Sequence, residues 1–167
     1  REAPKWQQAT GTLRWLASRL PRTSRFQLYT FSEDWASALE GTEGRWIDVI
    51  GGRLDEAVDN AVEALPTGGT NLYSVFEAIG GLTPPPDNII LVTDGLPTRD
   101  ASPPRRGTVS GSDRLKLFDE AIALLPVDIP LNIVLLHLEG DPMAASSYWR
   151  LAVATEGSFL APSRDWP

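Results

Sequence analysis

Two short runs, residues 88–93 (NIILVT) and 131–138 (LNIVLLHL), are apolar at nearly every position. A strand of that kind has no polar face to turn to water. Both of its faces must be covered, a condition met in parallel sheets with a helix layer on each side. The segment between the runs supplies such a helix, because Leu115, Phe118, Ala121, Ile122 and Leu125 recur at helical spacing. Right-handed crossovers from strand to helix to strand then predict an α/β fold: a doubly wound, mostly parallel sheet with helices on both faces.

The remainder of the chain repeats this alternation. Trp6, Leu13, Leu16, Ala17 and Leu20 form a helical stripe, with Pro4 tolerated in its first turn and Pro21 ending it. Residues 24–31 (SRFQLYTF) read as a strand and residues 46–50 (WIDVI) as a shorter one. Leu54, Val58, Ala61, Val62 and Leu65 make a second stripe. Leu72, Val75, Phe76 and Ile79 make a third, after the loop Pro66-Thr67-Gly68-Gly69-Thr70. Pro84-Pro85-Pro86 breaks the chain before the first apolar run. Asp141-Pro142 reads as an N-cap with proline at the first helical position, and Gly157 as the C-cap glycine of that helix. Residues 158–160 read as a last short strand. With 167 residues, no internal repeat and no composition break, the reading is a single domain over residues 1–167.

Charge and residue types narrow the function classes. The net charge of −7 lies wholly between residues 33 and 63, where nine acids face only Arg45 and Arg53. A solvated helix face accounts for it, with a cation-attracting or basic-partner surface as the alternative, and the sign argues against nucleic acid as a partner. The absence of cysteine excludes disulfides, thiolate catalysis and cysteine-based metal sites. No apolar run approaches about 18 residues, so no segment here reads as a membrane-spanning helix. Residues 1–6 lack the apolar stretch of a secretory signal. The lone histidine, His137, sits in the second apolar run with no positioned serine nucleophile, which argues against a Ser-His-Asp hydrolase. Trp6, Trp15, Trp46 and Trp149 fall in expected elements and read as packing residues. Trp35 and Trp166 read as freer, with Trp166-Pro167 as a tail anchor.

Doubly wound sheets bind ligands outside the C-terminal ends of their strands. That directs attention to residues 32–34, to Asp94-Gly95 and to residues 139–141. Asp94 ends a buried apolar strand, and Gly95 lets the chain turn. Its carboxylate suits a hard cation or acid–base chemistry; a turn aspartate bonded to its own backbone is the bland alternative. Thr67-Gly68-Gly69-Thr70-Asn71-Leu72 opens a helix with backbone N–H groups and an oxygen ligand, although a glycine turn capped by Thr70 or Asn71 explains it equally. The lysine of a phosphate loop is missing.

In this order, the strand at 24–31, TGGTNL, LVTDG, LNIVLLHL and the closing ATEGSF resemble a von Willebrand factor type A domain over about residues 4–162. The phrase TDGLPT and the ending GSFLAPSRDWP resemble bacterial members. The resemblance implies a sheet rim carrying a metal-ion-dependent adhesion site built from an Asp-x-Ser-x-Ser loop after the first strand, a threonine of the GGT segment and an aspartate at a later strand end. Thr70 matches that threonine and Asp94 that aspartate. The implied cofactor is Mg²⁺, or Mn²⁺ or Ca²⁺, and the implied partner is a protein whose acidic residue fills the open position. Bacterial relatives are often tethered to the cell envelope, and that compartment is the one the resemblance favours.

No Asp-x-Ser-x-Ser follows any candidate strand. The resemblance therefore implies that the family's first strand, which lies between the strands at 24–31 and 88–93, is missing here. Arg1 is then not the natural start, or another chain donates the strand, or the pairing is rearranged. The expected gap is about two strand spacings, roughly 9–10 Å, flanked by backbone groups that cost ~1–3 kcal/mol each when buried unpaired. Two protein ligands would leave four octahedral positions of Mg²⁺ to water, so weak or transient occupancy is expected. Residues 95–113 form a long loop that starts at this edge. Its Arg99, Arg105 and Arg106 are candidate contacts to an acidic partner, a solvated loop being the alternative. The expected function is a non-enzymatic protein-interaction module. The competing readings are a metal-independent scaffold of the same fold and a Mg²⁺-dependent phosphotransfer or hydrolytic enzyme. Leu96 opposes the last, because it stands where a haloacid-phosphatase-like site carries a second aspartate.

Overall fold

Both apolar runs become neighbouring strands. The computed structural model describes residues 4–64, 68–99, 109–136, 140–163 and 166. Along the chain these form α1 (Pro4–Arg19), β1 (Arg25–Phe26), β2 (Tyr29–Phe31), β3 (Trp35–Ser37), β4 (Ile47–Asp48), α2 (Arg53–Glu63) and α3 (Leu72–Gly80). There follow β5 (Ile89–Thr93), α4 (Gly111–Ile122), β6 (Leu131–Leu135), α5 (Ala144–Ala154) and β7 (Phe159–Leu160). β5 and β6 pair in parallel from Ile89 opposite Leu131 to Thr93 opposite Leu135, and β7 extends the ladder beyond β6. The remaining strands form two antiparallel pairs, β1 with β4 and β2 with β3.

The apolar side chains divide between two clusters. The larger joins Leu91, Leu131 and Ile133 of the parallel ladder to Leu72 and Phe76 of α3, Phe118 of α4 and Tyr148 of α5. Each such large side chain contributes ~1.5–3 kcal/mol when fully removed from water. The smaller cluster packs Phe26, Leu39, Ala57 and Ala61 against Leu13 of α1 and Leu20 just after it. Asp55, Glu56, Asp59 and Glu63 all lie on the exposed side of α2, which is the solvated acidic face.

Several local expectations are corrected. Residues 24–31 make two short strands with different partners, and the turn at residues 32–34, closed by Ser32 N–H donating to Asp34 O at 2.8 Å, leads into β3, which has too few residues for an alternation signal. α5 starts at Ala144 after Met143, with no side-chain cap, because the Asp141 carboxylate is engaged elsewhere. Gly157 is not the left-handed residue; Glu156 is, at φ 57°. Gly157 is required by proximity: a Cβ there would lie 2.5 Å from the Leu131 carbonyl carbon, backbone that cannot yield. Trp149 is 56% exposed and Trp15 38%, so neither is a core residue. Trp149 occupies the face of α5 opposite the buried Tyr148, Leu151 and Ala152. Trp35 instead packs edge-on to Tyr29 at 4.9 Å. Trp166 meets Trp15 edge-on at 5.2 Å, and Gln8 donates to the carbonyls of Ser163 and Trp166, so the tail is pinned to α1. His137 lies outside the described residues.

Gly157→Ala is expected to cost about 2–3 kcal/mol, in the range for overpacking, measured as a lowered urea midpoint with unchanged slope. A cost below about 0.5 kcal/mol would show that β7 moves away from β6 freely.

Candidate functional site

Three loops meet at the C-terminal rim of the strands. The turn at 32–34 follows β2, the segment 68–71 precedes α3, and the segment 94–99 follows β5. Backbone bonds stitch them together. Thr98 N–H and Arg99 N–H both donate to Thr70 O, at 2.9 and 3.1 Å, and Thr70 N–H donates to Thr98 Oγ1 at 3.0 Å. Asn71 N–H donates to Ser32 O at 2.8 Å, and its amide group donates to Glu33 O at 3.1 Å. Gly69 permits this approach, since a Cβ there would sit 2.7 Å from Thr98 Oγ1. The helix cap is Asn71, whose side chain accepts from Ser74 N–H. Thr70 is thus released from capping, and it and Asp94 both line one large cavity.

Among the described residues Asp94 makes no turn bond to its own backbone; its carboxylate faces Lys5 of α1, with Nζ–Oδ2 at 3.5 Å. Both side chains are over 40% exposed, so solvent screening limits the pair to about 0–1 kcal/mol. Arg99 is held by Glu33 at 2.8 Å. Arg105 and Arg106 lie outside the described residues. The rim therefore alternates charge, Asp94 with Lys5 and Glu33 with Arg99, and both pairings were invisible in a linear reading because each joins residues far apart in the chain.

Beneath the rim lies a buried brace. Asp141, its side chain 4% exposed, accepts from Leu96 N–H at 2.7 Å and from Arg114 at 2.8 Å, while Arg114 also donates to Leu96 O at 2.6 Å. Tyr148 O–H donates to Gly95 O at 2.9 Å. Complete burial pushes the Tyr148 phenol far above its ordinary value, against a partly offsetting hydrogen bond with Thr93. These groups hold residues 95 and 96, and so aim Asp94 outward. Sequence reasoning singled out residues 139–141 at the strand ends but not the partners of Asp141; the signal for these was a helix position, Arg114, carrying a charge beside the apolar stripe.

A hard cation requires oxygens in type and in number. Thr70 and Asp94 supply the type. Among the described residues, however, no three His, Cys, Asp or Glu side chains group closely enough to hold a metal. Lys5 lies against the Asp94 carboxylate at this rim.

No protein-family model matches the chain, and no curated protein matches it either. Among solved structures, "von Willebrand factor type A from Catenulispora acidiphila" superposes with a TM-score of 0.66 over 96% of this chain, at 15% identity. The chain spans 35% of that protein's length. The shared property is the fold: this chain has the α/β architecture of a von Willebrand factor type A domain.

Two outcomes test the brace. Asp141→Ala leaves Arg114 buried and uncompensated, and is expected to cost about 3–5 kcal/mol in chemical denaturation, against a smaller cost for Asp141→Asn, which still accepts from Leu96. The raised Tyr148 pKa means the folded state holds that proton more tightly than the unfolded chain. Its contribution is complete below about pH 10 and falls as pH rises beyond. Stability should therefore decline above pH 10 more steeply in the native protein than in Tyr148→Phe.

Proposed function

We propose that this chain is a non-enzymatic protein-interaction module that engages an acidic side chain of a protein partner at the rim. Thr70 and Asp94 are its two contributions to a divalent-cation shell, Mg²⁺ or alternatively Mn²⁺ or Ca²⁺, that water and the partner carboxylate complete. The observation that carries the reading is the stitching of the Thr70 loop to the segment after Asp94 through Thr98, at a rim where Asp94 is partly exposed. A bound cation would supply a Lewis-acid contact to a carboxylate; Asp94 and Thr70 would only orient it. Leu96, 1% exposed and packed in the core, supports the non-enzymatic reading. It fills with hydrocarbon the place where a second carboxylate would work with Asp94.

A second reading rests on the Lys5–Asp94 pair. In it the rim is metal-independent, and Lys5 with Arg99 meets the partner carboxylate directly, as in a rim salt bridge.

Titration with Mn²⁺, followed by paramagnetic broadening of backbone amides, separates the two. The metal reading expects broadening centred on Thr70 and Asp94, lost in Asp94→Asn, with binding strengthened about two- to fivefold in Lys5→Met because a competing charge is gone. Broadening centred on the acidic face of α2, or unaffected by Asp94→Asn, rejects the cation site and leaves the direct-carboxylate reading.

A further inference from the structure

α5 buries Ala144, Ser147, Tyr148, Leu151 and Ala152 on one side. The helical repeat then forms its opposite side from two neighbouring ridges of residues four apart. One ridge is Ala145, Trp149 and Val153; the other is Ser146, Arg150 and Ala154. All six are exposed. Trp149 is 56% exposed and Val153 59%, and neither joins an apolar cluster. The outer face of a surface helix ordinarily carries several charges, as α2 does with Asp55, Glu56, Asp59 and Glu63. The 11 residues of α5 carry one, Arg150. The Ser146 hydroxyl turns back to donate to Met143 O at 3.1 Å, so the ridges offer outward little besides hydrocarbon, indole and guanidinium.

That single charge has no counter-charge. Among the described residues, no ion pair includes Arg150. Single exposed apolar side chains are ordinary on a protein surface. Here an indole and an isopropyl group stand one turn apart on one ridge, beside an unpaired guanidinium. Trp and Arg are the residue types in which binding hot spots are enriched.

Shape and charge together specify the occupant. The groove between two such ridges accepts a ridge of a second helix. That helix must bring aliphatic side chains four apart to Trp149 and Val153. It must also bring a carboxylate to Arg150, because a guanidinium losing water needs an opposite charge beside it. A second copy of this chain does not meet both needs. α2 carries acids, but its apolar Ala57, Val58 and Ala61 are buried. Two copies of α5 would bring guanidinium groups together with no acid on either helix. An anionic lipid surface suits the chain no better, since it repels a net charge of −7.

We propose that the outer face of α5 docks an amphipathic helix of a partner protein, its aliphatic ridge on Trp149 and Val153 and a carboxylate on Arg150. None of these residues belongs to the rim, and the docking needs no cation.

The test selects binders to the 167-residue chain from a displayed library of helical peptides randomised on one face. The recovered peptides should carry aliphatic residues four apart with Asp or Glu beside them. Trp149→Ala should weaken the tightest of them by about thirtyfold or more, and Val153→Asp repeats the test from the other end of the ridge. Arg150→Glu should weaken it about tenfold, and replacing the peptide's acid with Lys should restore binding to that variant. These side chains are exposed, so the urea midpoint should stay unchanged. Mn²⁺ broadening at Thr70 and Asp94 should also be the same in Trp149→Ala, so this surface and the rim stand or fall separately. Three results overturn the proposal. The first is recovery of no peptide that depends on Trp149. The second is recovery of peptides whose binding ignores charge reversal at Arg150. The third is self-association of the chain abolished by Trp149→Ala, which would make a second copy the occupant.

Discussion

The parallel pairing of Ile89–Thr93 with Leu131–Leu135 is the interaction on which everything else is assembled. It buries two aliphatic strands side by side, and α3, α4 and α5 find their places by covering Leu91, Leu131 and Ile133. Because both strands run toward the same rim, Asp94 after β5 and Asp141 beyond β6 are both committed to that end of the sheet, whatever their own propensities.

What the ladder delivers, a buried carboxylate then shapes. Asp141 gathers Leu96 N–H and the Arg114 guanidinium at an interior position, where a buried charge needs an opposite charge beside it. The consequence is a rigid support under a soft surface. The exposed Lys5–Asp94 and Glu33–Arg99 pairs above it are individually worth little, so a cation or a partner charge can exchange with them at small cost while the loop beneath keeps its shape. That contrast between a braced base and labile charges suits a docking rim.

The second organising feature is a discontinuity. The two apolar clusters lie on either side of one large cavity. α1 spans it from above, reaching Asp94 through Lys5 and the tail through Trp15 and Trp166.

The α/β class, the helix at Pro4–Arg19, the two apolar strands and the rim position of Asp94 were legible in the sequence because each rests on local periodicity or on a strand end. The same local reasoning failed at Asp141 and Gly157. An aspartate before proline is the local signature of a cap, yet its partners Leu96 and Arg114 are distant in the chain. A glycine after a helix signals a left-handed cap, yet here it answers to the Leu131 backbone passing close by. The sequence by itself thus determined which segments are helix or strand and which side chains seek the interior. Only the tertiary structure decided which charges meet and which loop Thr70 is tied to, because those depend on distances between residues that no spacing along the chain encodes.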